Sequence, residues 1–331
     1  MLRRSLLFAW SAASPDLHRV EELVGAGQLD AALVQLDGLK ELQVPIRHVD
    51  YWRAVVFLKQ RDVLQARQAL LEELRWFPVD NRESSGLFHR LESKVGHIFE
   101  LPQPVIDSYP LFAMLYDAVK TSTMLSWPRL LSLFVRAKSI CENDAVEGDF
   151  VECGVAGGGS AIIIGAAIQH FSKRPRKLYA CDTYQGMPPP SADFDVKADE
   201  SKQLASQSHW GTGTCSAPLE RMQSLIAAFS LQEIVVPVKG LFEDSLPNLV
   251  KNVDGGSRRF AMMHLDADWY ASTKTALNEL YPALEPQGVV QLDDYTYWGG
   301  VKQAVEEYFK GSAMPKLEEI PGEHAVVLIK P

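Results

Sequence analysis

From residue 149 onward acids lie in or just after apolar runs, one after another. They are Glu152 within DFVEC, Asp182 after KLYAC, Glu243 and Asp244 after VVPVKGLF, Asp266 and Asp268 in HLDADWY, and Asp293 and Asp294 in QLDDYTYWGG. If those runs are parallel strands of an open α/β sheet, the acids sit at the carboxyl ends, where such sheets bind ligands. Asp266, Asp293 and Asp294 would then bring three carboxylates to adjacent strand mouths. Like charge at that density needs a cation or shared protons to offset it. Oxygen donors without His or Cys favour a hard ion, magnesium above all. Taken singly, Asp268 or Asp294 could as well cap a following helix, but three acids on two neighbouring strands exceed what capping requires.

A second constellation is VECGVAGGGS, Val151 to Ser160, in which Glu152 is followed by Gly154 and by Gly157, Gly158 and Gly159 ahead of the apolar segment AIIIGAAIQHF. Glycines let the backbone approach a ligand, and the free N–H groups of a helix start face it. Asp182 stands where a ribose diol would be held, because a carboxylate can accept from both hydroxyls. An acid there suits NAD and S-adenosylmethionine alike, and it could also form a turn before Thr183.

The elements that must position these residues alternate from Gly148 onward. Continuous apolar runs predict doubly covered parallel strands over 149–153, 177–181, 234–239, 260–265 and 289–292. Helices are predicted over 160–171, 219–228, 244–252, 272–284 and 300–309, and the tail KLEEIPGEHAVVLIK reads as a hairpin turning at Pro321–Gly322. A parallel sheet closed by an antiparallel hairpin is the Rossmann-like, doubly wound α/β arrangement of class I methyltransferases, which ordinary dinucleotide dehydrogenases lack. Between the second strand and the next helix, Gln185 to Ser216 is long, aperiodic and rich in Pro and Gly. Such an insertion usually carries function, and this one reads as a lid in which Trp210, opposite Tyr295, Tyr297 and Trp298, offers flat faces to an acceptor.

Residues 1–100 are helical in pattern. AGQLDAALVQL aligns with QRDVLQARQAL at an offset of 34 residues, placing Ala32 over Ala66 and Leu36 over Leu70. That is the tetratricopeptide period, and two such units need a further surface, another domain, a partner protein or a second copy, to stand. Residues 101–147 form a helical lead-in with a break between Thr121 and Pro128, and residues 148–331 form the α/β domain. The net charge of −9 and the lack of a Lys/Arg stripe argue against nucleic acid. Four cysteines without a CxxC pair indicate neither zinc nor disulfides. No apolar run approaches the roughly 20 residues that span a bilayer, so no membrane association is expected. MLRRSLLFAWSAAS has features of a secretory leader but is read as a first amphipathic helix.

Together TMLSWPRLLSLF, GDFVECGVAGGGSA, DTYQGMP, KGLFEDSLP, HLDADWYASTKTAL and QLDDYTYWGGVKQAVEEYF resemble the macrocin O-methyltransferase family over about Tyr109 to Pro331. The resemblance implies a class I fold, S-adenosylmethionine and Mg²⁺ as cofactors, and a small-molecule, glycoside-like acceptor in the cytoplasm. It implies that Glu152, Gly154, Gly157, Gly158, Gly159 and Ser160 hold the methionine end of the cofactor. Asp182 would take the ribose, with Phe242 and Glu243 against the base, while Asp266, Asp293 and Asp294 hold the ion. Asp268 is then the first choice of general base and His209 the second, while His264 reads as a packed strand residue. Two other classes compete: an NAD(P)-binding oxidoreductase, which leaves the strand-five acids without a task, and a non-catalytic adaptor built on the helical repeats.

Overall fold

The computed structural model describes residues 15–251 and 256–331; the Met1–Ser14 stretch expected to begin the chain as a helix lies outside them. The chain divides into two compact units. The first takes the residues up to Glu100 together with Gln185–Pro189 and His209–Pro218; the second takes Leu101–Tyr184, Pro190–Ser208 and Leu219–Pro331. The expected lid is therefore shared, its two ends folding with the helical unit and its middle with the sheet unit.

In the first unit α1 (Pro15–Gly25), α2 (Leu29–Lys40), α3 (Val49–Lys59), α4 (Val63–Trp76) and α5 (Arg82–Val95) follow in sequence. α1 and α3 begin at 15 and 49, and α2 and α4 at 29 and 63, so both pairs are offset by 34 residues. The aligned residues Val20 and Ala54, Ala32 and Ala66, and Leu36 and Leu70 are all fully buried, which makes the period one of core positions. Each enclosed Leu adds roughly 1.5–3 kcal/mol. The turns repeat as well, since Gly27 (φ +73°) and Arg61 (φ +66°), also 34 apart, both adopt the left-handed conformation.

The second unit opens with α6 (Gln103–Ser108), α7 (Pro110–Val119) and α8 (Trp127–Asn143), and Pro128 is tolerated because it lies in the first turn of α8. Then come β1 (Asp149–Cys153), α9 (Gly159–Phe171), β2 (Leu178–Asp182), α10 (Leu219–Ala228), β3 (Val235–Lys239) and α11 (Phe242–Val250). β4 (Phe260–Leu265), α12 (Tyr270–Leu280), β5 (Leu284–Leu292), α13 (Gly299–Tyr308), β6 (Leu317–Glu319) and β7 (Val326–Ile329) complete it. The sheet runs β3-β2-β1-β4-β5-β7-β6, with β1 to β5 parallel and β7 antiparallel to both its neighbours, β5 and β6. Pro237 is accommodated because β3 is an edge.

Most expected elements differ from the observed ones by one or two residues at an end. β5 differs more, starting at Leu284 rather than Val289, because the turn-like Glu285–Gly288 is a bulge: the register moves from Phe260↔Leu284 to Met262↔Val289. Side-chain alternation sends Phe150, Met262 and Val289 into one core with α7, α8, α9 and α10, and Val151, Met263 and Val290 into another with α11, α12 and α13. Among the described residues, no helix is long and apolar enough to cross a membrane.

One buried acid makes the helical unit's stability depend on pH. Glu73 on α4 accepts from the His48 N–H (2.9 Å) and Asn81 Nδ2 (3.1 Å), and its Oε2 has no hydrogen-bond partner among the described residues. Burial, with the Asp50 charge nearby, pushes the Glu73 carboxyl up to about 7. Because the unfolded group titrates near 4.5, its charge opposes folding in full above pH 7, and the penalty fades as pH falls toward 4.5. Glu73→Gln is therefore expected to stabilise the protein by roughly 1–3 kcal/mol at pH 8 and to change little at pH 5, as read from thermal unfolding at the two pH values. A variant less stable than the parent at pH 8 would contradict the assignment.

Candidate active site

Glu152, His264 and Gln291 hold matched positions on β1, β4 and β5, on the face covered by α8 and α9. His264 Nδ1 lies 2.9 Å from Glu152 Oε1, and its Nε2 lies 4.0 Å from Asp293 Oδ1. Arg129 on α8 donates from Nη1 to Asp293 Oδ2 at 2.5 Å, and its Nε faces Glu323 Oε2 at 3.2 Å. Burial by itself would strip His264 of its proton, but Asp293 and Glu152 outweigh it and push the imidazole up to about 10. Burial likewise opposes charge on Asp293, yet Arg129 and His264 hold its carboxyl below the usual range. Glu152, His264 and Asp293 are enclosed, and Glu152 Oε2, His264 Nε2, Gln291 Oε1 and Asp293 Oδ1 have no hydrogen-bond partner among the described residues. The expectation of His264 as a packed strand histidine holds for its burial, but its partners are charged.

Beyond this row β4 and β5 end in turns where Asp268 (φ +56°) and Asp294 (φ +55°) are left-handed, a region that Asp enters more readily than most residues. One carboxylate oxygen each from Asp266, Asp268 and Asp294 come within 4.8 Å of one another. Burial, then Asp293 and Asp294, push Asp266 well above the carboxylate range; burial, then Asp294 and Asp266, do the same to Asp268. Asp294 is pushed up to about 6 by burial and by Asp293. Such mutual repulsion among hard oxygen donors is what a divalent cation removes, so the residues present fit magnesium. The three acids that converge thus include Asp268, whereas Asp293 is turned to Arg129. Trp298 Nε1 donates to Asp268 Oδ1 at 3.3 Å and packs edge-on against Trp269 with ring centroids 5.3 Å apart. Trp298 and Tyr295 are buried, so they fill the core instead of offering flat faces.

The glycine turn adjoins these acids through the backbone. Gly154 (φ +89°) passes so near Asp266 that a Cβ would lie 1.8 Å from the Asp266 carbonyl oxygen. Gly158 (φ +92°) is needed against Met222, and Gly159 against Ser122 and Thr123, so both serve protein packing as well as any ligand. Gly157 and Ser160 are buried in the same turn. Asp182 shapes it: Oδ2 accepts from the N–H groups of Val155 (2.7 Å) and Ala156 (3.0 Å), and Oδ1 from that of Tyr184 (2.6 Å). Phe242, half-buried, and Glu243, exposed, form the first turn of α11 after β3. His209 belongs to the helical unit, with Nδ1 2.9 Å from Asp37 Oδ2, and the acid group of the second unit is assembled without it.

Two residues of this site carried no sequence signal of their own. Arg129 is a single cation in the apolar helix WPRLLSLF, and Asp195 lies inside the aperiodic insertion, buried, with Oδ1 on the Tyr270 N–H that starts α12 (2.8 Å).

The strand order, the glycine turn after β1 and the acids after β4 and β5 define a class I methyltransferase. The macrocin O-methyltransferase family (TylF) matches residues 117–320. This chain belongs to that family and is an S-adenosylmethionine-dependent O-methyltransferase. It is 33% identical over 187 residues, 56% of this chain and 67% of the relative, to the 8-demethyl-8-(2,3-dimethoxy-alpha-L-rhamnosyl)-tetracenomycin-C 4'-O-methyltransferase of Streptomyces olivaceus. It is 29% identical over 187 residues, 56% of this chain and 69% of the relative, to the mycinamicin III 3''-O-methyltransferase of Micromonospora griseorubida. The solved O-methyltransferase NovP superposes with a TM-score of 0.54 at 27% identity, covering 63% of this chain and 81% of NovP. The calicheamicin methyltransferase CalS11, at 20% identity and TM-score 0.52 over 77% of this chain and 96% of its own, shares the fold. Membership sets aside the oxidoreductase and adaptor readings.

His264→Ala is expected to cost about 3–5 kcal/mol, because it leaves Glu152 and Asp293 buried without the cation between them. Urea unfolding measures it. A folded pKa of about 10 against an ordinary 6.5 means the stabilisation is full below pH 6.5 and lost as pH rises through 10. The gap between parent and variant should narrow along that rise; a constant gap would refute a charged His264.

Proposed function

We propose that this chain moves the methyl group of S-adenosylmethionine to a hydroxyl of a sugar-bearing natural product with the help of bound Mg²⁺. The observation that carries the reading is the convergence of Asp266, Asp268 and Asp294 at strand mouths directly beside the glycine turn of β1. The names of the tetracenomycin relative, which includes a rhamnosyl group, and of the mycinamicin relative support the acceptor class.

Glu152 Oε2, a buried acceptor without a partner among the described residues, suits the cofactor's ammonium group, and Gly154, Gly157–Gly159 and Ser160 would surround its methionine end. Asp182 would bind the ribose through Oδ1 by exchanging the longer bond from Thr183 Oγ1 (3.3 Å) for a ribose hydroxyl while it holds the turn, and Phe242 and Glu243 would lie against adenine. Asp266 and Asp294 would hold the ion, since magnesium is usually bound through one or two carboxylates plus water and substrate oxygens. Bound there, the ion would lower the pKa of the acceptor hydroxyl. Asp268 has an oxygen within 4.8 Å of one from each of Asp266 and Asp294, burial and those two acids hold its carboxyl above the usual range, and Trp298 orients it, so it would take the proton. S-adenosylmethionine would supply an activated methyl group, and the chain's own task would be to align the acceptor hydroxyl and remove its proton. Asp293 serves by clamping His264, and His209 has no part in this scheme. The 34-residue helix repeat supports a tetratricopeptide-like reading of the first unit.

Incubation with S-adenosylmethionine, Mg²⁺ and rhamnosylated acceptors should give a product heavier by one methyl group in mass spectrometry, and EDTA should abolish it. Asp266→Asn and Asp294→Asn are expected to weaken Mg²⁺ binding by at least about tenfold in calorimetry. Asp268→Asn should keep the ion and lose turnover by roughly 100-fold or more. Turnover that survives EDTA would remove the ion from the scheme.

A further inference from the structure

The geometry points to the helical unit being a peptide clamp whose ligand is this chain's own segment His209–Ser216. The charges that α2, α3 and α4 bring together are turned inward. Lys40 Nζ lies 2.9 Å from both Asp50 Oδ2 and Glu72 Oε2, and Arg53 reaches Asp50 Oδ1 at 3.1 Å and Asp37 Oδ1 at 3.2 Å. Arg53 and Glu72 are almost wholly enclosed. A network so desolvated is sustained only if its remaining donors and acceptors find partners.

The segment supplies them. Arg53 Nη2 donates to the His209 carbonyl, Glu72 Oε1 accepts from the Cys215 N–H, Asp37 Oδ2 faces His209 Nδ1, and Trp76 Nε1 donates to Ser216 Oγ, each at 2.9 Å. Two of these four contacts are to main-chain atoms and two to side chains, so the helical unit holds an irregular peptide by backbone and side chain alike. Gly213 (φ +76°) runs so close that a Cβ would stand 2.3 Å from the Lys40 carbonyl oxygen. The other end of the insertion is tied in beside it: the Met187 N–H donates to the Thr214 carbonyl and the Gly213 N–H to the Met187 carbonyl, both at 2.9 Å.

What lies between these tethered ends, Pro190–Ser208, folds with the second unit. There Asp195 caps the start of α12 and the Val196 carbonyl accepts from the Gly299 N–H at the start of α13 (2.8 Å). These are the helices that follow the acid-bearing turns. The clamp therefore fixes both ends of the stretch whose middle holds the starts of α12 and α13, and through that stretch it would set acceptor affinity.

The test uses the full chain with two variants. Arg53→Ala cuts the grip from the helical side and leaves buried acids uncompensated. Gly213→Ala cuts it from the segment side and leaves that network intact, so it decides the matter if the first variant misfolds. In Gly213→Ala, hydrogen exchange of the amides of Gly186, Met187 and residues 209–216 should accelerate at least about tenfold while α1–α5 stay protected. KM for the glycoside acceptor should rise several-fold with S-adenosylmethionine affinity unchanged. A segment that stays protected, or one that is released without change in acceptor KM, would overturn the proposal. The kinetic arm rests on the methyl-transfer reading and the exchange arm does not, so a parent enzyme without turnover would sink that reading and leave the exchange data to judge the clamp.

Discussion

A protonated imidazole inside a protein is sustainable only between anions, and His264 imposes that condition on everything around it. Glu152 must come from β1, Asp293 from β5, and Arg129 from α8 must then balance the second acid. Four elements distant in sequence are thereby held in one register at the level where the strands end. The row also divides labour among the acids. Those spent on His264 point into the sheet's covered face, and the next ones along, Asp266, Asp268 and Asp294, are left to repel each other at its rim.

The same economy of space governs the glycines. A turn that presses on Asp266, Met222, Ser122 and Thr123 has no room there for side chains. Asp182 completes it by accepting from three backbone N–H groups, which gives an irregular loop the rigidity of a capped helix. Cofactor turn and acid rim are consequently one mechanical piece, joined where Gly154 passes the Asp266 carbonyl.

Much of this was readable before any coordinates, for definite reasons. Strands covered on both faces must be continuously apolar, so β1 to β4 stood out, and the buried faces of α1 to α4 repeat because equal core positions demand small or aliphatic residues at equal spacing. The acids at the rim were legible as a set because they follow those strands. Which member turns outward was not. That depends on the left-handed backbone at Asp268 and on Arg129 reaching Asp293 across 164 residues of sequence, and neither leaves a local pattern. His209 shows the same limit: in an aperiodic segment only the tertiary partner, here Asp37, assigns a residue to its unit. The start of β5 was hidden because a bulge is written with the same Pro, Gln and Gly as a turn.

The paired neck at Met187, Gly213 and Thr214 has a consequence for how such an enzyme can diversify. Closing a loop at its base uncouples the loop's length from the architecture that carries it, and doubling a flexible loop costs only about 0.6 kcal/mol in closure entropy. The stretch from Pro190 to Ser208 can thus vary in length between its fixed points, Asp195 on α12 and Val196 on the start of α13, without strain reaching the neck.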